Sequence, residues 1–134
     1  MDPPLLSVAR TFATKVKANF DTPVRAQAED QLKAPAVELI EAGGALFGRN
    51  VEARTEAQVH VLGARPDIGV AVDRLLRGFV ELKAPGKGAR PERLTGAERE
   101  QWLKFQRLPN LIYTDGSEWS LFREGRRGTP LVAV

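Results

Sequence analysis

"RPDIGVAVDRLLRGFVELKAPGKG", residues 65–88, sets two apolar runs about a charged Asp73-Arg74 centre and closes in a Pro/Gly-rich loop. "DIGVAV" and "LLRGFVEL" are of strand length and are bounded by turn residues, so they read as an antiparallel hairpin. With the turn centred near Arg74, Asp67 falls directly across from Glu81. Opposed residues in such a pair have Cα atoms about 4.5–5.5 Å apart, close enough for both carboxylates to reach one point. Strand alternation puts Glu81 and Lys83 on one face, with Val80 and Leu82 turned the other way into the core. Two acids and a lysine are therefore expected together at one edge of a sheet.

Working outward, residues 5–19 place Leu5, Val8, Phe12 and Val16 at helical spacing, with Arg10, Lys15 and Lys17 turned away. Thr22 before Pro23 reads as the N-cap of a second helix that runs to "EAGG", where Gly43 or Gly44 closes it. Pro35 inside that helix is expected to kink it into two pieces. Alternation resumes between Leu46 and Leu62, most clearly in "QVHVL". After the opening hairpin, Thr95 and Glu98 form a Thr-x-x-Glu capping box for a helix that stops before Pro109. Trp102 and Phe105 face the core there. "NLIYT", the Asp115-Gly116 turn and "EWSLF" make a last hairpin. The element order is α-α-β-β-β-α-β-β, a single α/β domain over residues 1–134, helical to about residue 45, with the sheet and third helix after it.

Composition narrows the chemistry. A chain of 134 residues with 43% hydrophobic and 28% charged content is that of one folded domain. It has no cysteine, which excludes disulfides, thiol catalysis and zinc fingers. His60 is the one histidine, so no three-histidine zinc site or histidine-based nuclease can be assembled. There is no P-loop or methyltransferase motif. Neither a membrane-spanning run nor a signal peptide is legible, which makes a cytoplasmic protein the expectation. The net charge of +3 is compatible with a polyanionic partner.

Two apposed carboxylates repel unless a proton or cation lies between them. Hard oxygen ligands with open positions suit Mg²⁺, with Mn²⁺ as a substitute, and both take part of their shell from phosphate. A lysine beside them can orient a water or stabilise charge on phosphoryl oxygens. Taken alone, Glu-x-Lys is as well explained by a surface ion pair; the aligned Pro66-Asp67 and the Gly/Lys loop favour a site.

Pro66-Asp67 followed by Glu81-Leu82-Lys83 resembles the PD-(D/E)xK signature of restriction-endonuclease-like nucleases. "RPDIGV", "VELKAPGKG" and "LPNLIYTDGSEWSLFREG" are similar to the N-terminal nuclease domains of large single-chain restriction-modification enzymes, which add translocase or methyltransferase domains. The resemblance implies an α-β-β-β-α-β core, here with an extra N-terminal helix and a C-terminal hairpin. It also implies metal ligation by Asp67, Glu81 and the Leu82 carbonyl, and a water positioned by Lys83. Such nucleases often add an acid from the first core helix. Of Glu29, Asp30, Glu38 and Glu41, Glu29 flanks the buried stripe of Ala28, Leu32, Ala36, Leu39 and Ile40 and is the choice.

Gln101 and Phe105 are similar to a Gln-x-x-x-Tyr element of one branch, with Phe in place of Tyr; Gln101 is expected to touch DNA or the lysine, or to be solvated. Arg65, Lys87, Arg90 and Arg93 are candidate phosphate contacts, with a solvated loop as the alternative. The expectation is thus a Mg²⁺-dependent DNA endonuclease domain; the alternative is a DNA-binding or assembly module that keeps the fold without catalysis. The ending "TPLVAV", within strand-like sequence, suggests a domain of a longer chain.

Overall fold

The computed structural model describes residues 3–22, 27–56, 63, 65–128 and 132–133. Helices α1 (Pro3–Asp21) and α2 (Asp30–Leu46) precede strands β1 (Val51–Thr55), β2 (Ile68–Val72) and β3 (Leu75–Leu82). A 3-10 turn at Pro91–Arg93 leads to α3 (Gly96–Phe105), and β4 (Asn110–Thr114), β5 (Glu118–Arg123), β6 (Arg126–Arg127) and β7 (Val132–Ala133) follow. Among the described residues the strands form one seven-stranded sheet, ordered β1-β2-β3-β4-β5-β6, with β7 also on β5. All pairings are antiparallel except β3 with β4, which α3 connects as a parallel crossover. The expected element order is present, with β6 and β7 added. No helix of the described residues is long and apolar enough to cross a membrane.

The sheet is covered on both faces. One is packed by α1 and α2 through Leu32, Ala36, Ile68, Val80 and Leu82, with Phe12 and Val16 at the margin. The other is packed by α3 through Phe79, Trp102, Phe105, Leu111, Tyr113 and Phe122. Successive β3 residues therefore alternate between the two cores: Phe79 toward α3, Val80 and Leu82 toward α2. Glu81 and Lys83 share the parity of Phe79 and so lie on the α3 side, as the alternation predicted.

The second helix departs from expectation in three ways. It starts at Asp30 with Glu29 as N-cap, not at Thr22; Pro23 lies outside the described residues. Pro35 is accommodated within one continuous helix. Lacking an N–H, Pro35 cannot donate to the Gln31 carbonyl, and the Asn19 side chain from α1 donates there instead at 3.0 Å. The helix also runs past Gly43 and Gly44 to Leu46, and the left-handed residue after its end is Gly48, at φ +70°. Gly44 is needed for another reason: a Cβ there would stand 2.2 Å from Val51 Cγ2, so its bare backbone lets β1 lie against α2. His60 and the "QVHVL" run lie outside the described residues.

Candidate active site

The β2–β3 hairpin reaches its register by two local devices. Asp73 and Arg74 both take positive φ, 50° and 69°, which is the backbone of a two-residue type I′ turn. That turn pairs Val72 with Leu75 and Ala71 with Leu76. The register then shifts by one, so Val70 faces Gly78 and Ile68 faces Val80, leaving Arg77 as the extra residue of a bulge. Without the extra residue Asp67 would oppose Val80. With it, Asp67 comes opposite Glu81, the juxtaposition expected from the sequence.

Each acid accepts a backbone N–H from the segment that carries the other. The Asp67 N–H donates to Glu81 Oε1 at 3.3 Å, and the Leu82 N–H donates to Asp67 Oδ2 at 2.8 Å. The N–H and C=O of one residue in an extended strand face the same neighbour, so the Leu82 carbonyl points to the Asp67 side as well. Glu81 is 4% exposed. Its burial first, and then the Asp67 carboxylate, push its carboxyl up to about 8, against the opposing pull of Lys83.

Lys83 is also buried, at 4% exposure. Its Nζ donates to Gln101 Oε1 at 3.0 Å and lies 3.5 Å from Glu81 Oε2 and 3.6 Å from Glu98 Oε2. The Tyr113 ring lies beneath it, 5.9 Å from Nζ to the centroid. Gln101 is thus a partner of the lysine, one of the roles its position allowed. Tyr113 is directly beside Glu81 in the β3–β4 register, and its hydroxyl is buried without a hydrogen-bond partner among the described residues. Burial, then the carboxylates of Glu81, Asp67 and Glu98, raise that phenol above its usual range.

The loop after β3 is held from a distance. Asp115 Oδ2 accepts the N–H groups of Gly86 and Gly88 at 3.1 and 2.8 Å, while Oδ1 accepts those of Ser117 and Glu118. Burial opposes the Asp115 charge, but the four N–H donors prevail and hold its carboxyl below the usual aspartate range. Glu118 adds a bond to the Ala89 N–H at 2.9 Å. These contacts fix the backbone that carries Lys87, whose ammonium is bonded to Glu98 Oε1.

The remaining expected residues are more peripheral. Glu29 makes no side-chain cap bond, and its charge reaches Lys87. Among the described residues no three acidic or histidine side chains gather as a metal cluster, so Glu29 does not join Asp67 and Glu81 in one. Its rivals are occupied elsewhere: Asp30 pairs with Lys33, Glu38 with Lys15, and Glu41 accepts the Ala53 N–H. Arg65 is exposed and Arg90 half-buried, at either end of the hairpin-to-loop segment in the sequence. The capping box is not formed, because Thr95 makes no side-chain cap bond and Glu98 turns to Lys83 and Lys87 instead. Glu98, Tyr113 and Asp115 are the residues the sequence did not mark for this site. Their local patterns, a helix start, a buried strand and a turn, explained them fully without it.

No family model matches the chain, and no curated protein matches it. Among solved structures, one chain in the cryoEM structure of a DrdV–DNA complex superimposes on 96% of it with a TM-score of 0.73 and 19% sequence identity. The two share a fold. It is the mixed α/β fold with an α-β-β-β-α-β core expected from the sequence. This chain spans 12% of the length of that neighbour.

The donor set suits a hard divalent cation: two carboxylates and one carbonyl, all oxygen, on one side of β3. Each carboxylate has one oxygen held by a backbone N–H; Asp67 Oδ1 is left to turn toward a cation, and Glu81 Oε2 would be shared between that cation and Lys83, 3.5 Å away. A lysine at 3.5 Å from the same Glu81 completes a site that could hold a cation beside a phosphate ester.

Proposed function

We propose that this chain is a PD-(D/E)xK nuclease domain that hydrolyses DNA phosphodiester bonds with Mg²⁺, or Mn²⁺ in its place. It serves as the cleavage module of a restriction-modification or related DNA-defence enzyme. The observation that carries the reading is the convergence of Asp67, Glu81 and Lys83 on one face at the end of β3. A chain of the same fold in a DrdV–DNA complex supports DNA as the partner. That neighbour's much greater length is consistent with further domains, of translocase or methyltransferase type, acting with this one.

Asp67, Glu81 and the Leu82 carbonyl would hold the metal. When bound, a divalent cation supplies Lewis-acid polarisation of the phosphodiester and acidifies water. Lys83 contributes a fixed ammonium, held by Gln101 and Glu98, that orients the attacking water and offsets negative charge building on the phosphoryl oxygens. Its burial makes that charge count for more than in bulk water. Arg65, Lys87 and Arg90 bind backbone phosphates and fix the strand against the site.

The test is cleavage of DNA by the purified protein with Mg²⁺ or Mn²⁺, stopped by EDTA. Lys83→Ala abolishes cleavage while metal binding persists, because the lysine is no ligand; Asp67→Ala loses both. A full-length protein that cuts equally well with both substitutions would falsify the assignment.

A further inference from the structure

Glu98 is set apart by its two oxygens. Oε1 is bonded by Lys87 at the surface, whereas Oε2 is buried, accepts no hydrogen bond among the described residues, and faces Lys83 Nζ at 3.6 Å. As the third residue of α3, next to a Thr95 N-cap, Glu98 would ordinarily turn back to the helix start and bond the Thr95 N–H. Its carboxylate instead reaches inward across the lysine. Lys83 faces two acids, Glu81 and Glu98, and one neutral partner, Gln101. A cation shared by Asp67 and Glu81 takes up the charge of Glu81. The lysine, nearly enclosed at 5% side-chain exposure, then keeps a single anionic neighbour. A buried ammonium left without one is strongly disfavoured and would move.

We propose that Glu98 is a positioning residue, the counter-charge that holds the Lys83 ammonium at the site once Asp67 and Glu81 are committed to a cation. The inference rests on the metal-dependent reading above and adds a residue outside the signature motif. It also gives the link to Lys87 a purpose: the outer oxygen is fixed by the loop, so the inner one stays aimed at Lys83. The β3–α3 spacing and the Gly/Lys loop thereby set the position of the lysine together.

Two measurements test it. The first follows the Lys83 ammonium signal in ¹⁵N-lysine-labelled protein as Mg²⁺ is added. In the unsubstituted chain the signal stays protected from solvent exchange after backbone shifts at Asp67 and Glu81 report saturation; in Glu98→Gln it is protected without Mg²⁺ and lost with it. Retention of the protected signal in Mg²⁺-loaded Glu98→Gln overturns the proposal, as does its loss on saturation of the unsubstituted chain. If Mg²⁺ shifts neither Asp67 nor Glu81, the metal reading itself fails and this inference falls with it.

The second is kinetic. Glu98→Gln lowers kcat by about 10- to 100-fold, the loss a misplacement of roughly 1 Å produces, with KM for DNA little changed. Glu98→Asp, which keeps the charge, recovers part of the loss. Lys87→Ala, which frees the outer oxygen of Glu98, lowers kcat in the same direction as Glu98→Gln but by a smaller factor. If Glu98→Asp is no better than Glu98→Gln, the charge is not what matters and the assignment is wrong. If Glu98→Gln raises KM alone, Glu98 serves DNA binding and not the lysine.

Discussion

The Asp67 N–H donates to the Glu81 carboxylate across the hairpin at 3.3 Å, and the Leu82 N–H returns a bond to the Asp67 carboxylate at 2.8 Å. Each acid is thus oriented by the strand that carries the other. The carboxylates are positioned by backbone that the sheet already fixes, so little ordering remains for a cation to impose. A cation between them would take the place of the proton that burial favours on Glu81.

Divalent ions should therefore stabilise the fold as well as support cleavage. At a hundredfold excess over Kd, Mg²⁺ is expected to add about 2.7 kcal/mol, a rise of several degrees in Tm. Ca²⁺ should raise Tm through the same oxygens yet support cleavage poorly, since its looser shell fixes and acidifies water less well. Thermal melts of the unsubstituted protein and Asp67→Ala decide this: a Tm that Mg²⁺ leaves unmoved, or raises equally in both, places the cation elsewhere.

Lys87 and Arg90 sit on the loop that Asp115 and Glu118 pin in place. Replacing both with Ala should weaken DNA binding regardless of sequence. The slope of log K against log salt should flatten by about 0.9 for each phosphate that is no longer neutralised. Titrations at several salt concentrations give the slope directly, and an unchanged slope would reduce these residues to a solvated loop.

Asp115 should govern acid stability. Its folded pKa is held below the unfolded one, so its contribution is complete above the unfolded value and is lost as pH falls through the folded value. Asp115→Asn leaves charged-acceptor bonds unmade and should cost about 2–3 kcal/mol at neutral pH. Below about pH 4 the gap to the unsubstituted protein should narrow. Denaturant melts between pH 7 and 2 measure it, and a gap that stays constant would mean the carboxylate charge plays no part.

The adjacent glycines of α2 should respond with opposite sign. A Cβ at Gly43 meets nothing within 4 Å, whereas one at Gly44 meets Val51 Cγ2 at 2.2 Å and its Cβ at 2.7 Å. Gly43→Ala is expected to stabilise by about 0.5–1 kcal/mol, through reduced freedom of the unfolded chain. Gly44→Ala should destabilise by about 1–3 kcal/mol, because β1 must be pushed from the helix. Equal effects in denaturant unfolding would mean that β1 does not rest on Gly44.

Nearest-neighbour patterning carried much of this protein. The period-2 runs on either side of Asp73-Arg74 determined the hairpin, and burial of Val80 and Leu82 determined that Glu81 and Lys83 share the opposite face. The apolar stripe of α2 and the core placement of Trp102 and Phe105 were legible for the same reason: periodicity is a property of consecutive residues, and it needs no partner to be read. What the tertiary structure decided lies where two distant segments meet. Pro35 stays in an unbroken helix because Asn19 supplies the missing donor, and Gly44 serves a strand contact where a helix stop was expected. The Arg77 bulge compensates for where the turn falls, and its carbonyl accepts a hydrogen bond from the Asn110 side chain of β4 at 2.8 Å. Asp115 reaches a loop 27–29 residues away, and Glu98 leaves its helix cap for a lysine on another element. Each of these side chains had a sufficient local role. The buried ammonium of Lys83 drew Glu98 inward, and the loop N–H groups of Gly86 and Gly88 drew Asp115, contacts that exist only once the sheet and α3 have packed.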